Sequence, residues 1–87
     1  MKSRTTRKFW RLFDALLPDV QDHARRAFQQ FQADPSHPGI LFKRVSSTAP
    51  LYSARVGRDY RVLGLLEGDT VTLGWIGHHS DYDRKTR

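Results

Sequence analysis

The spacing of apolar residues changes once along this chain, and that change is the strongest constraint on its fold. Between residues 9 and 31 the apolar side chains recur every three or four positions, which is the spacing of one helix face. From residue 40 onward they form short runs separated by glycine, proline and aspartate, which is typical of β-strands. The two patterns do not interleave. We therefore predict a helical segment followed by a sheet.

The helical segment divides at a proline. Its first apolar stripe begins at Phe9, and Thr5 or Thr6 can serve as the N-cap. Proline is favoured in the first turn of a helix, so Pro18 predicts the start of a second helix. That helix repeats the spacing of the first until residues 34–39, where two prolines and a glycine end it. Two stripes of equal spacing indicate a helical hairpin that packs on one surface.

Four strand-like runs follow, at residues 40–45, 51–56, 60–66 and 70–76. Short turn sequences at residues 57–59 and 68–69 connect the last three runs. We therefore expect an antiparallel meander in which Val56 pairs with Tyr60.

If Glu67 also pairs with Thr70, strict alternation gives the sheet two unlike faces. The apolar face, which is the expected seat of the helices, carries Tyr52, Ala54, Val56, Tyr60, Val62, Leu66, Val71, Leu73 and Trp75. The mixed face carries Ser53, Arg55, Arg61, Leu63, Leu65, Thr72 and Ile76. Arg55 and Arg61 lie directly opposite each other, and like charges so placed repel. Either a phosphate relieves this repulsion, or the guanidinium groups extend into water or pair with Asp59 or Asp81.

Residues 77–84 gather two imidazoles, two carboxylates, a phenol and a guanidinium. Gly77 and Ser80 predict a loop here, which would let the groups between and after them converge on the arginines. Histidine transfers protons at neutral pH, and tyrosine stacks on bases or donates a proton. The mixture suits metal-free cleavage of RNA. The alternative is that the histidines are merely solvated and Tyr82 covers the sheet edge. Adjacent histidines in a loop rarely bind one ion, so we expect no metal and no cofactor.

Composition narrows the class of partner. The 15 lysines and arginines exceed the 9 acids and give a formal net charge of +6, which favours nucleic acid or an acidic protein. There is no cysteine, so neither disulfides nor thiolate metal sites are available. The apolar stretches are short, so we expect no membrane span and a cytoplasmic protein. Residues 1–87 are long enough for one small domain.

The order of elements, together with the segments 51–63 and 75–84, resembles the RelE/ParE superfamily of toxins, and it is closest to the RelE- and HigB-like branch. The Leu17-Pro18 break between the helices and the Asp34-Pro35 ending fit the same family. The resemblance implies an α+β fold with a helical hairpin on an antiparallel sheet. The family opens with an apolar strand, whereas residues 1–8 are basic and polar, so we expect a basic arm or a reduced edge strand there.

The resemblance also implies functional residues. His79, Asp81 and Tyr82 match the His-x-Asp/Glu-Tyr-Asp ending of HigB-like members, and Arg61 matches the arginine that contacts the scissile phosphate. The implied catalytic residues are Arg61, His79, Asp81 and Tyr82. The implied RNA- or phosphate-binding residues are Lys43, Arg44, Arg55, Arg58, His78 and Arg84.

For this branch the resemblance implies ribosome-dependent cleavage of mRNA. It also implies an acidic antitoxin as partner, and a toxin–antitoxin complex that can bind operator DNA. ParE-like relatives share the scaffold but inhibit DNA gyrase without cutting RNA, and degenerate members only bind their antitoxin. Those two alternatives stay open at the level of sequence.

Overall fold

The computed structural model of the chain describes residues 1–85, which form three helices and a five-stranded sheet. In chain order the elements are β1 (Lys2–Thr5), α1 (Arg7–Asp14), α2 (Pro18–Ala33), β2 (Lys43–Arg44), β3 (Leu51–Val56), β4 (Tyr60–Glu67), β5 (Thr70–His78) and α3 (His79–Lys85). The strands are ordered β1-β5-β4-β3-β2 across the sheet. The predicted α+β fold is confirmed. Over the described residues, no helix combines the length and apolar character needed to cross a membrane.

The N-terminal residues form a strand, so the expectation of a reduced or absent edge strand is corrected. β1 pairs in parallel with β5, from Lys2 opposite Thr70 to Thr5 opposite Leu73. The sheet is therefore mixed, although the other pairs are antiparallel. Polar side chains are tolerated because β1 is an edge strand and most of its residues are exposed.

The helices begin where the sequence predicts. The Thr6 hydroxyl accepts a hydrogen bond from the Phe9 N–H at 3.1 Å and caps α1. Pro18 opens α2, where its missing N–H removes no helical bond. After α2, the Asp34 carboxylate accepts hydrogen bonds from the Ser36 hydroxyl and backbone N–H. These two bonds hold the pKa of Asp34 below its ordinary value.

The meander has the predicted register, with Val56 opposite Tyr60 and Glu67 opposite Thr70. Both turns contain a glycine with positive φ, Gly57 at 60° and Gly68 at 62°. By contrast, the strand predicted over residues 40–45 shrinks to β2, because the backbone of residue 41 has a φ of 50° and cannot continue an extended ladder.

One irregularity corrects the predicted faces of the sheet. The β4–β5 ladder shifts between Leu63 and Gly64, so that Leu63 pairs with Trp75 while Gly64 pairs with Leu73. Gly74 is therefore the extra residue of a β-bulge. Strict alternation placed Trp75 with the helices and Ile76 away from them. The bulge exchanges them, and Ile76 joins the core under the helices, where it is 2% exposed.

The core lies between the sheet and helices α1 and α2, in two clusters. The first contains Phe9, Phe13, Ala24, Val56, Val62 and Ile76. The second contains Phe31, Ile40 and Val71. Each fully buried side chain of this size contributes about 1.5–3 kcal/mol. The seating of both helices on one face, predicted from their stripes, is confirmed.

Replacing Gly77 with alanine should destabilise the fold by about 1–3 kcal/mol, because an added Cβ would lie 2.5 Å from the ring of Trp75. Gly74→Ala is the matched control in the same strand, since the nearest atom to an added Cβ there is 4.0 Å away. We expect it to change the free energy of unfolding by less than about 0.5 kcal/mol. Urea denaturation of both variants measures the difference, and equal losses would contradict the position assigned to the indole.

Candidate functional site

The side of the sheet away from α1 and α2 carries a row of basic and polar side chains, which we call the arginine face. Cross-strand partners share a face, so the register defines its membership. One row runs Lys43, Ser53, Leu63 and Trp75 across four strands. The adjacent row runs Arg55, Arg61 and Gly77. This face is thus apolar at its centre and cationic along one side.

Arg55 and Arg61 are directly opposite each other, as the sequence predicts. In residues 1–85 neither guanidinium has an acid within 4.0 Å, so the predicted alternative of pairing with Asp59 or Asp81 is not realised in the structure. Arg61 Nη1 donates to the carbonyl oxygens of Tyr60 and Arg58 at 2.8 and 3.2 Å. Two adjacent cations with no acid between them form a site that an anion would stabilise.

Arg55 is the less satisfied member of the pair. It is half-buried, and its Nε is a buried nitrogen without a hydrogen-bond partner. A buried donor without a partner costs about 1–3 kcal/mol. The fold therefore holds a guanidinium in a position that stability alone does not favour, which is frequent at binding sites.

The segment predicted as a loop is helical, and this corrects the sequence interpretation. His78 Nδ1 lies 3.2 Å from the Ser80 N–H, which donates to it at the start of α3. Asp81 stands in the first turn and Arg84 in the last, where each complements the helix dipole, and the two form an ion pair. These local bonds outweigh the weak turn signal of the flanking glycine and serine.

α3 lies over the arginine face. The Tyr82 hydroxyl donates to Ser53 Oγ at 3.4 Å, and Ser53 is buried. Arg55 is two residues further along β3 on the same face, which places it about 7 Å from Ser53. The Lys85 ammonium lies 5.7 Å from the centre of the Trp75 ring. The structure thus brings Tyr82 to the face that carries Arg55 and Arg61.

The two histidines lie at the rim of this face. The backbone N–H of His79 donates to the Asp59 carbonyl at 2.7 Å, so His79 adjoins the turn that precedes Arg61. His78 is opposite Tyr60 on the helix side of the sheet, and their rings meet edge to face at 5.5 Å. The rings of His78 and His79 are 4.3 Å apart. Of the two, His79 is exposed and nearer the arginine face.

The remaining predicted residues divide into two groups. Lys43 belongs to the arginine face, beside Ser53, and Arg58 is exposed in the turn before β4. Arg44 instead faces the helix side, and its Nε donates to the carbonyls of Ser46 and Ala49. Asp81 and Arg84 pair with each other on the exposed side of α3. Exposed pairs of this kind contribute little to stability.

Sequence reasoning missed two members of the arginine face, Trp75 and Lys85. Trp75 was assigned to the wrong side because alternation was assumed to continue through β5. The available signal was Gly74 inside that strand, since a glycine in a strand interior often marks a bulge. Lys85 could be placed only once α3 was known to be a helix. In the described chain, no three histidine or acid side chains come together in a way that could hold a metal ion.

Comparison with known proteins gives consistent results. The sequence profile of a family described as the ParE-like toxin domain matches residues 18–84. No match is found among curated protein sequences. The toxin in the RelB–RelE antitoxin–toxin complex from Methanococcus jannaschii is 15% identical, with a TM-score of 0.75 over 97% of this chain and 99% of that one.

Two further structures are similar. The toxin–antitoxin complex RelBE2 from Mycobacterium tuberculosis contains a chain that is 25% identical, with a TM-score of 0.67 over 88% of this chain and 95% of that one. The YoeB/ParE toxin from Agrobacterium tumefaciens is 13% identical, with a TM-score of 0.70 over 91% and 99%.

Replacing Arg55 with methionine should stabilise the isolated protein by about 0.5–1 kcal/mol. The change removes a like-charge pair and a buried nitrogen that lacks a partner, while it keeps an unbranched side chain. Arg44→Met is the matched control, and we expect it to destabilise by about 1 kcal/mol because two hydrogen bonds are lost. Thermal and urea denaturation at low salt measure both. A loss of stability in Arg55→Met would contradict an unrelieved arginine pair.

Proposed function

Because this chain belongs to the ParE-like toxin family, and is therefore a toxin of a type II toxin–antitoxin system, we propose that it acts by cutting mRNA on the ribosome. The resemblance to the RelE/ParE superfamily inferred from the sequence is confirmed. Assignment to the RNA-cleaving RelE- and HigB-like branch is part of the proposal. So is the cytoplasmic location that a ribosomal target requires.

The observation that carries the proposal is the arginine pair beneath Tyr82. Arg55 and Arg61 are adjacent cations without an acid between them, and the Tyr82 hydroxyl reaches Ser53 on the same face. A phosphodiester between the guanidiniums would relieve their repulsion and accept several charge-assisted hydrogen bonds. Lys43 extends the positive charge along the same face, in the direction an RNA backbone could follow.

The proposed reaction needs no group beyond the chain and the RNA. The ribose 2′-oxygen loses its proton to a base and attacks the adjacent phosphorus, while the bond from phosphorus to the 5′-oxygen breaks and that oxygen receives a proton. The products are a 2′,3′-cyclic phosphate and a 5′-hydroxyl. Arg55 and Arg61 would stabilise the negative charge that develops on the phosphate oxygens.

His79 and Tyr82 are the proposed groups for proton transfer and base stacking. His79 is exposed beside the turn that leads to Arg61, so substrate can reach its imidazole. Tyr82 stands over the face itself. Asp81 is proposed to act indirectly, since it pairs with Arg84 and holds that guanidinium on α3. Arg58, His78, Arg44 and Arg84 are then proposed contacts to the RNA backbone at the edges of the site.

The partner is proposed to be an acidic antitoxin, which the net charge of +6 favours. The similar proteins from Methanococcus jannaschii and Mycobacterium tuberculosis are described in complexes with antitoxins. By the family resemblance, the complex of this chain with its antitoxin would bind operator DNA.

Replacing Arg61 with glutamine should reduce mRNA cleavage by about 10²–10³-fold, because the developing charge on the phosphate loses a donor. Tyr82→Phe should reduce it by about 10²–10⁴-fold if the hydroxyl transfers a proton, and much less if the ring only stacks. Primer extension on translating ribosomes, with purified wild-type and variant proteins, measures both. Arg11→Gln on α1 removes the same charge outside the proposed site and should leave cleavage unchanged.

Unaltered cleavage in both Arg61→Gln and Tyr82→Phe would refute the assigned site. The second candidate function is inhibition of DNA gyrase, favoured by the ParE-like description of the matched family. A supercoiling assay distinguishes the two. Gyrase inhibition by the wild-type protein without any RNA cleavage would replace the proposed function with this one.

A further inference from the structure

A second group of unpaired cations lies on the other side of the molecule, between α2 and the β3–β4 turn. They line a cleft with a volume of about 420 Å³, which we call the basic cleft. Its lining residues are His23, Arg26, Ala27, Gln30, Gly39, Arg55, Gly57 and Arg58. None of them is acidic. Among residues 1–85, no acid lies within 4.0 Å of Arg26 or Arg58 either, so the cleft is an uncompensated cationic surface.

Backbone conformation keeps these groups together. Gly57 has a φ of 60°, and a Cβ added to it would lie 3.5 Å from His23 Nδ1. The turn therefore packs directly against the imidazole on α2. The β3 edge is uncovered here, since β2 pairs only with Tyr52 and Ser53. A ligand can thus approach the cleft from the edge of the sheet.

The basic cleft continues into an apolar groove. This groove has a volume of about 280 Å³, and it lies between α1 and α2 with the sheet as its floor. Ala27 and Arg55 line both cavities, so the two form one trough. Trp10 lines the groove and is 47% exposed, while Phe28 and Phe42 are half-buried there. The trough is apolar at one end and cationic at the other.

We propose that this trough binds an acidic segment of a protein partner, with its apolar side chains in the groove and its carboxylates in the basic cleft. A nucleic acid fits less well. Its phosphates would suit the cleft, but the groove offers buried aliphatic side chains such as Val56, Val62 and Ile76, whereas bases bind on exposed aromatic faces. An amphipathic acidic segment satisfies both halves at once.

Identifying the segment as part of the antitoxin rests on the proposed function, whereas the binding surface itself does not. The identification has a mechanistic consequence. Arg55 lines the trough and is also the partner of Arg61 in the sheet. A carboxylate bound near Arg55 would neutralise one of the two charges proposed for phosphate binding. The partner could thus weaken RNA binding without covering the arginine face.

The test uses two short synthetic helical peptides that carry leucines along one face and end in either three glutamates or three glutamines. Fluorescence anisotropy at low salt gives the affinity of each labelled peptide for the purified protein. The wild-type protein should prefer the glutamate peptide by about tenfold or more, because carboxylates pair with unneutralised guanidiniums.

The double variant His23→Gln with Arg26→Gln should lose this preference but keep its affinity for the glutamine peptide, since the groove is unchanged. Arg11→Gln is the matched control, because it removes a cation on α1 that lines neither cavity, and it should retain the preference. Circular dichroism of each variant verifies that the chain is folded.

Three results would overturn the proposal: no preference for glutamate in the wild-type protein, a preference that survives the double substitution, or no binding of either peptide. A single-stranded oligouridine that protects the amide signals around the cleft, where the peptides do not, would assign the trough to nucleic acid instead. No ribosome is present in these assays. Failure here is therefore separate from failure of RNA cleavage, which the primer-extension test measures.

Discussion

The register of the β3–β4–β5 meander is the constraint on which the remaining structure depends. Two glycines with positive φ, Gly57 and Gly68, set the turns, and each turn fixes which residues of the flanking strands are opposite each other. A slip of one residue would move the apolar side chains from the helix side to solvent. It would also separate Arg55 from Arg61. The packing of the helices and the geometry of the candidate site therefore have the same origin.

The two faces of this sheet bear opposite energetic consequences. Phenylalanine, valine and isoleucine side chains stabilise the helix side by their burial. On the arginine face, a like-charge pair and a buried nitrogen without a partner reduce stability. A small domain tolerates such a site only because the other face is well packed. The separation also gives an RNA and a protein partner different surfaces, with Arg55 between them.

Local signals in the sequence were sufficient for the helices, the turns, the meander register and the Arg55–Arg61 pair. The errors arose where tertiary contacts decide. The polar segment before α1 becomes a strand because β5 offers it a free edge, and no local propensity reveals that edge. The bulge at Gly74 moves Trp75 to the arginine face. α3 forms because Asp81, Arg84 and the ring of His78 stabilise its ends, which outweighs the flanking turn signals. The residue types of the candidate site were therefore predictable, but the orientation of its indole and of its C-terminal groups was not.

The parallel pairing of β1 with β5 also bears on how the chain folds. It joins residues 2–5 to residues 70–73, at the two ends of the sequence. The meander is formed by neighbours in the chain and can assemble early, whereas the loop that must close for the β1 contact spans most of the protein. During synthesis, β1 has no partner until β5 has left the ribosome. A nascent chain therefore cannot complete its sheet, or seat α1 on it, before nearly the whole toxin has been made.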